Sequence, residues 1–170
     1  MDREHQRYVR TETGIGVVLN ILVSALFAWA VVPKPPGVIA MWGLGGIAFD
    51  LVPTTFMIVF MTSIALGLLT AKRLRDGKVS PMPRAAAGLA GRLPASVPGR
   101  AITLALIGCA TLLPLTVLGL ILLGVESMAL WPFVAFKAAY GVVVALVFMP
   151  PLLVSALAGR DAKRAARVAA

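Results

Sequence analysis

Two opposite charges stand at matching positions of a repeated sequence. One stretch runs from Trp42 to Asp50 and reads W-G-L-G-G-I-A-F-D, and a later one runs from Trp131 to Lys137 and reads W-P-F-V-A-F-K. The tripeptide V-F-M follows each of them. A carboxylate and an ammonium at one depth could form a salt bridge that latches two hairpins together or closes an outer vestibule. The alternative is structural, with Asp50 capping a helix and Lys137 snorkelling to the membrane surface.

The other polar side chains of the apolar stretches are uncharged. Asn20 is expensive to bury in lipid, so we predict that it faces another helix and donates a hydrogen bond across the interface. Tyr140 and Thr111 are further intramembrane polar positions. A cavity lined by Asn20, Tyr140 and the carbonyls that prolines leave without a donor would favour transport. A solid bundle with a wide exposed face of small residues would favour a scaffold.

The sequence contains no arrangement that is typical of catalysis. It has no paired carboxylates within the apolar stretches, no histidine cluster, no nucleophile beside a base and no metal-ligand spacing. His5 is the single histidine and is expected to be solvated, and Cys109 is the single cysteine, which excludes an intrachain disulfide. We therefore predict that the chain is not an enzyme and holds no cofactor.

Four apolar stretches must position these residues, at 14–32, 51–71, 101–124 and 128–158. Each approaches or exceeds the roughly 20 residues that a membrane span requires. Because 59% of the residues are hydrophobic, little remains for a soluble domain. The chain 1–170 is predicted to be one membrane domain. Its parts are a leader at 1–13, a first hairpin at 14–71, a basic loop at 72–100, a second hairpin at 101–158 and a basic tail at 159–170.

The formal net charge of +9 is unevenly placed. Basic residues concentrate in the leader, the central loop and the tail, and positive charge near span ends is retained in the cytoplasm. The sequence thus predicts an all-α integral membrane protein of the inner (plasma) membrane. Its four transmembrane helices form two tandem, same-orientation hairpins with pseudo-two-fold symmetry and both termini in the cytoplasm. Nucleic acid is excluded as a partner because the basic loop has no interleaved aromatic residues for base stacking.

Prolines and tryptophans mark irregularities and depth. Pro33 is predicted to end the first span. Thr111 is expected to satisfy part of the carbonyl of Ala110, which a proline four residues later leaves without a donor. Indole rings gather at the headgroup level, which predicts interface anchors at Trp42 and Trp131. Helix breaks are predicted at Pro114, Pro150 and Pro151.

The central loop is expected to lie against anionic lipids, each basic residue near the surface contributing about 1 kcal/mol of attraction. It shows no apolar stripe broad enough to anchor a domain. The alternative is a loop that is merely solvated. The predicted lipid contacts are Lys72, Arg73, Arg75, Lys78 and Arg84.

The sequence favours a non-catalytic accessory or scaffold protein that forms a homo-oligomer or binds a larger membrane complex. The scarcity of polar groups and the absence of an ionisable residue near mid-membrane support this interpretation. The alternative is a small permease or channel for a small or apolar solute. Duplicated hairpins, a proline-broken fourth helix and an opposed charge pair are features that transporters use.

Overall fold

The computed structural model describes residues 2–31 and 37–158. Four long helices contain most of these residues. All four are long and apolar enough to span a membrane. The helices are α1 (Arg3–Val31), α2 (Ile47–Arg75), α3 (Val97–Leu122) and α4 (Leu130–Leu157). A 3₁₀ segment (Arg84–Arg92) precedes α3, and the two-residue strands β1 (Ile39–Ala40) and β2 (Ser127–Met128) precede α2 and α4.

The helices extend beyond the apolar stretches that predict them. Helix α1 begins at Arg3, so the predicted leader is part of this helix, with Glu4 in its first turn. Helix α2 likewise continues to Arg75. Hydropathy marks the lipid-compatible part of a helix, whereas charged residues with good helix propensity continue it. Pro33 and the basic tail 159–170 lie outside the described residues.

Helix α4 lies at the centre of the bundle and packs against α1, α2, α3 and the 3₁₀ segment. Helix α1 packs mainly on α4, and α2 packs mainly on α3. Gly141 of α4 permits the close approach of α1, because a Cβ atom there would lie 2.8 Å from Ser24 Oγ and 3.2 Å from the Asn20 carbonyl oxygen. Within the described residues, the backbones of α1 and α2 do not pack along each other. The predicted hairpins are therefore not the main packing units.

A short antiparallel ribbon joins the two interhelical connections at one end of the bundle. Ile39 lies opposite Met128, and Ala40 lies opposite Ser127. The backbone amide of Met41 extends the contact by donating to the Glu126 carbonyl at 2.7 Å. We call this the ribbon end. The opposite end, with the start of α1, the end of α2, the 3₁₀ segment, the start of α3 and the end of α4, is the basic end.

The central loop is packed onto the basic end. Val79, Met82 and Ala87 are buried in an apolar cluster that includes Leu153 and Leu157 of α4. The Met82 amide donates to the Leu157 carbonyl at 3.1 Å. The loop is therefore held by three separate apolar side chains, although its sequence has no periodic apolar stripe.

The predicted helix breaks are also wrong. Helix α3 continues through Pro114, and α4 continues through Pro150 and Pro151. A proline removes one amide donor, but contacts with neighbouring helices can keep the backbone helical on both sides. Met149 and Leu152, which flank the proline pair, are almost fully buried and hold α4 in place.

Candidate functional site

Lys137 and Asp50 form an ion pair between α4 and α2 near the ribbon end. Lys137 is the eighth residue of α4, and Asp50 is the fourth of α2. The Lys137 Nζ atom donates to Asp50 Oδ2 and, at 2.5 Å, to Thr54 Oγ1. It also lies 5.6 Å from the centroid of the Phe133 ring, within cation–π range. The structure thus brings together the two residues that the repeat singled out.

The burial of this pair excludes both structural alternatives. The Lys137 side chain is 4% exposed, so the lysine turns into the bundle and does not snorkel outward. The N-cap of α2 is Gly46, and the Asp50 amide already donates to the Gly46 carbonyl at 2.9 Å, so Asp50 is inside the helix and is not its cap. Since the Asp50 side chain is 28% exposed, the carboxylate connects a buried ammonium to the surface of the protein.

A second polar contact joins the same two helices one turn deeper. Thr55 Oγ1 donates to the Leu51 carbonyl at 2.6 Å, which uses its only proton. The Tyr140 hydroxyl, 2.5 Å from Thr55 Oγ1, must therefore be the donor to Thr55. Sequence reasoning found Tyr140 but missed Thr54 and Thr55. Thr54 lies four residues after Asp50 and therefore on the same helix face, which was the available signal for this residue.

Asn20 lines a small, mostly apolar notch between α1, α2 and α4. The notch has a volume of about 10 Å³, roughly the space of one water molecule, and Thr62 and Ser63 contribute to its wall. Asn20 is 8% exposed, and its Nδ2 atom has no hydrogen-bond partner among the described residues. The predicted donation across the interface is therefore not made. Tyr140 does not line the notch.

Two further predictions concern α3 and the tryptophans. Thr111 is exposed and donates to the Ile107 carbonyl at 2.7 Å, because a threonine in a helix reaches the carbonyl four residues before it. The prediction that it serves the Ala110 carbonyl is wrong. Trp42 and Trp131 are both exposed at the ribbon end, where an anchoring role remains a prediction.

At the basic end, Arg73 is engaged within the chain. It pairs with Glu12, and its guanidinium lies 5.4 Å from the Tyr8 ring centroid. The Tyr8 hydroxyl is 3.0 Å from Thr70 Oγ1. Arg73 thus joins α2 to α1 rather than lying free toward lipid. The other predicted lipid contacts are exposed: Lys72, Arg75, Lys78 and Arg84.

The expectation that His5 is solvated is wrong. His5 is buried, and its Nε2 atom donates to the Ser80 carbonyl at 2.9 Å. Its Nδ1 atom lies 2.7 Å from Asp2 Oδ1. The hydrogen bond from the His5 backbone amide lowers the pKa of the exposed Asp2 carboxyl below its usual value. These contacts connect the first turn of α1 to the central loop. No local sequence pattern predicts this contact, because the two residues are 75 positions apart.

The class of structure is therefore a helical bundle in which four helices can span a membrane and polar side chains link one helix to another. Among the described residues, no group of three or more histidine, cysteine, aspartate or glutamate side chains could hold a metal ion. No family model, curated protein or solved structure matches the chain.

Proposed function

We propose that this chain is a multi-pass inner-membrane protein that serves as a non-catalytic accessory or scaffold component, forming oligomers or binding a larger membrane complex. Its four apolar helices are compatible with membrane placement. One observation carries the proposal: the polar groups between α2 and α4 bond to one another. Lys137 binds Asp50 and Thr54, and Tyr140 binds Thr55.

The packing of α2 against α4, further from the ribbon end than these contacts, supports a structural role. Val59 and Val144 are almost fully buried between α2 and α4. Protein interiors are close-packed, so a solute that followed this interface would have to displace side chains on both helices. A bundle that is filled in this way is suited to present a fixed surface to a partner.

Helix α3 supplies the surface that would meet such a partner. Only 22% of its most apolar window is buried, against 61% for α4. The close approaches at Gly67 and Gly141 are already used inside the bundle, by α3 and α1 respectively. Contact with a partner helix would therefore be made by large apolar side chains. Those exposed on α3 include Ile102, Leu106, Ile107, Leu115, Leu118 and Ile121.

The arrangement of contacts supports a pseudo-two-fold architecture. A two-fold rotation that places α1 on α3 and α2 on α4 would convert the α1–α4 contact into the α3–α2 contact. These two contacts are the most extensive between helices. Ile39 and Ala40 correspond to Ser127 and Met128, which lie 88 residues later in the chain. The same rotation therefore converts the Ile39–Met128 pair of the ribbon into the Ser127–Ala40 pair. The positive charge of the basic end supports placing that end, with both termini, in the cytoplasm.

Native mass spectrometry of the protein, extracted gently from its own membrane, tests the scaffold proposal. We expect a stoichiometric complex, either with a second copy or with a larger assembly. Leu115→Trp on α3 should dissociate it, whereas Leu22→Trp, at a comparably exposed site on α1, should leave it intact. A wild-type protein that is recovered only as a monomer would contradict the proposal.

The notch at Asn20 favours a second candidate, a small permease or channel. The buried Asn20 Nδ2 atom, which has no partner among the described residues and shares the notch with Thr62 and Ser63, could bind a small polar solute. Stopped-flow measurement of glycerol and water permeability in proteoliposomes tests this candidate. Wild-type protein should exceed empty vesicles, and Asn20→Leu should abolish the difference. Equal permeability of wild-type and empty vesicles would remove this candidate for both solutes.

A further inference from the structure

An open groove of about 480 Å³ lies at the basic end, between the first turns of α1 and the region where α2 ends. Its volume is within the roughly 300–1,000 Å³ range of ligand pockets. Tyr8 and Thr11 contribute hydroxyl groups to its wall, and Val79 contributes an apolar side chain. The groove is distinct from the polar contacts between α2 and α4.

The charges of this groove are unbalanced in favour of cations. Four cationic side chains line it against two carboxylates, Glu4 and Glu12. Glu12 is buried and paired with Arg73, whereas Glu4 is exposed and lies 3.4 Å from the uncharged amide and hydroxyl groups of Ser80. The other three cations are exposed, and within residues 2–31 and 37–158 no carboxylate lies within ion-pair distance of them. These cations are Arg3, Arg7 and Lys78.

The chemistry of these cations fits a phosphate group. Arg3 and Arg7 are four residues apart, so they lie on one face of α1, separated by about 6 Å along its axis. Guanidinium groups bind phosphate oxygens in pairs, and a lysine adds a mobile point charge. We propose that the groove formed by Arg3, Arg7 and Lys78 binds the phosphate group of an anionic ligand, supplied by a phospholipid headgroup or by phosphate in solution.

The surface next to the groove favours the lipid as the source. The helix face that carries Arg7 and Thr11 continues at helical spacing to Val18 and Leu22, which are both exposed. An acyl chain could lie along these apolar side chains while its headgroup occupies the groove. Basic pockets between helices at the cytoplasmic side of a membrane bind such headgroups. This step relies on the membrane placement and orientation of the proposed function.

The test compares two arginines of α1 in the full-length protein. Native mass spectrometry would measure binding of added phosphatidylglycerol, with phosphatidylcholine as the neutral comparator. Arg7→Gln should weaken phosphatidylglycerol binding about five-fold, the factor that corresponds to one interfacial cation. Arg10→Gln removes the same charge from an exposed site outside the groove and should change binding less than about two-fold. Equal losses in the two variants would overturn the site.

Inorganic phosphate separates the two sources. If millimolar phosphate displaces phosphatidylglycerol from the wild type, the groove binds phosphate from solution; if phosphate does not compete, the lipid is the ligand. If the wild type binds neither phosphatidylglycerol nor phosphate, the inference is overturned. Partner complexes are measured in the same spectra, so a protein that keeps its complex but binds no phosphate contradicts this inference alone. A lone monomer that binds phosphatidylglycerol contradicts only the scaffold proposal.

Discussion

Helices α3 and α4 are nearly equal in hydropathy, yet they occupy opposite environments. The most apolar window of α4 is 61% buried, whereas that of α3 is 22% buried. Helix α4 presents Lys137, Tyr140 and Gly141 to its neighbours. Hydropathy therefore indicates which segments can cross a membrane but not which of them lies at the centre. Small residues and polar residues with partners on another helix decide that.

The hydroxyl groups show the same contrast. On α3, Thr103, Thr111 and Thr116 donate to carbonyls four residues earlier in their own helix. At the α2–α4 interface, the Tyr140 hydroxyl instead reaches Thr55 on the other helix. A hydroxyl group in an apolar helix therefore stabilises the packing of helices only where its hydrogen-bond partner lies on a different helix. Three sets of variants test this difference between α3 and α4.

The largest effect is expected when α4 loses the partner of its buried charge. Asp50→Ala would leave the Lys137 ammonium without a carboxylate in a site where the side chain is 4% exposed. Breaking a buried ion pair typically costs about 3–5 kcal/mol. We expect the free energy of unfolding to fall by that amount, as measured by SDS titration in dodecyl maltoside micelles.

Glu126→Ala is the matched control for this variant. Glu126 is an exposed acid in the connection between α3 and α4, so its loss should change stability by less than about 0.5 kcal/mol. The double variant Asp50→Ala with Lys137→Ala should lose less than the sum of the single variants. Additivity within about 0.5 kcal/mol would show that the two charges are not energetically coupled.

A smaller effect is expected from filling the glycine contact of α4. Gly141→Leu would force side-chain atoms into Ser24 and the backbone at Asn20. Overpacking of this kind costs about 1–3 kcal/mol. Gly119→Leu on α3 has no atom within 4 Å of its Cβ position and should be neutral or slightly stabilising. Comparable losses at both sites, in the same SDS titration, would remove the distinction between the helices.

The smallest effect is expected from the hydroxyl groups. Tyr140→Phe deletes the hydrogen bond to Thr55 and should lower the free energy of unfolding by about 1 kcal/mol. Thr111→Val on α3 deletes a bond within one exposed turn, and its effect should stay below about 0.5 kcal/mol. Thermal unfolding followed by circular dichroism can rank the two variants. A larger loss at Thr111 would reverse the comparison.

The sequence predicts part of this structure, and the limits have physical causes. Apolar length predicts the four helices, since about 20 residues are needed to cross lipid. The repeat drew attention to Asp50 and Lys137 because charges are rare in apolar stretches. The partners Thr54 and Thr55 were missed, because a threonine is equally compatible with bonding to its own helix.

Which helices pack together could not be predicted. The order of the chain suggested neighbouring hairpins, but the close approach of Gly141 to α1 depends on how two surfaces interlock. The burial of His5 likewise depends on a carbonyl at Ser80, 75 residues away, in a loop without periodicity. Contacts of this kind are set by three-dimensional register, which composition and spacing do not specify.

The ion pair has a consequence for the synthesis of the protein. Asp50 and Lys137 are 87 residues apart, and translation proceeds at roughly 5–20 residues per second. The carboxylate is therefore made about 4 to 17 s before its ammonium partner, and α3 emerges from the ribosome in between. Throughout that interval the nascent chain must keep Asp50 hydrated or matched with a cation from elsewhere. Synthesis of α4 ends this interval, because Lys137 of the fourth helix then supplies the cation that pairs with Asp50 of the second.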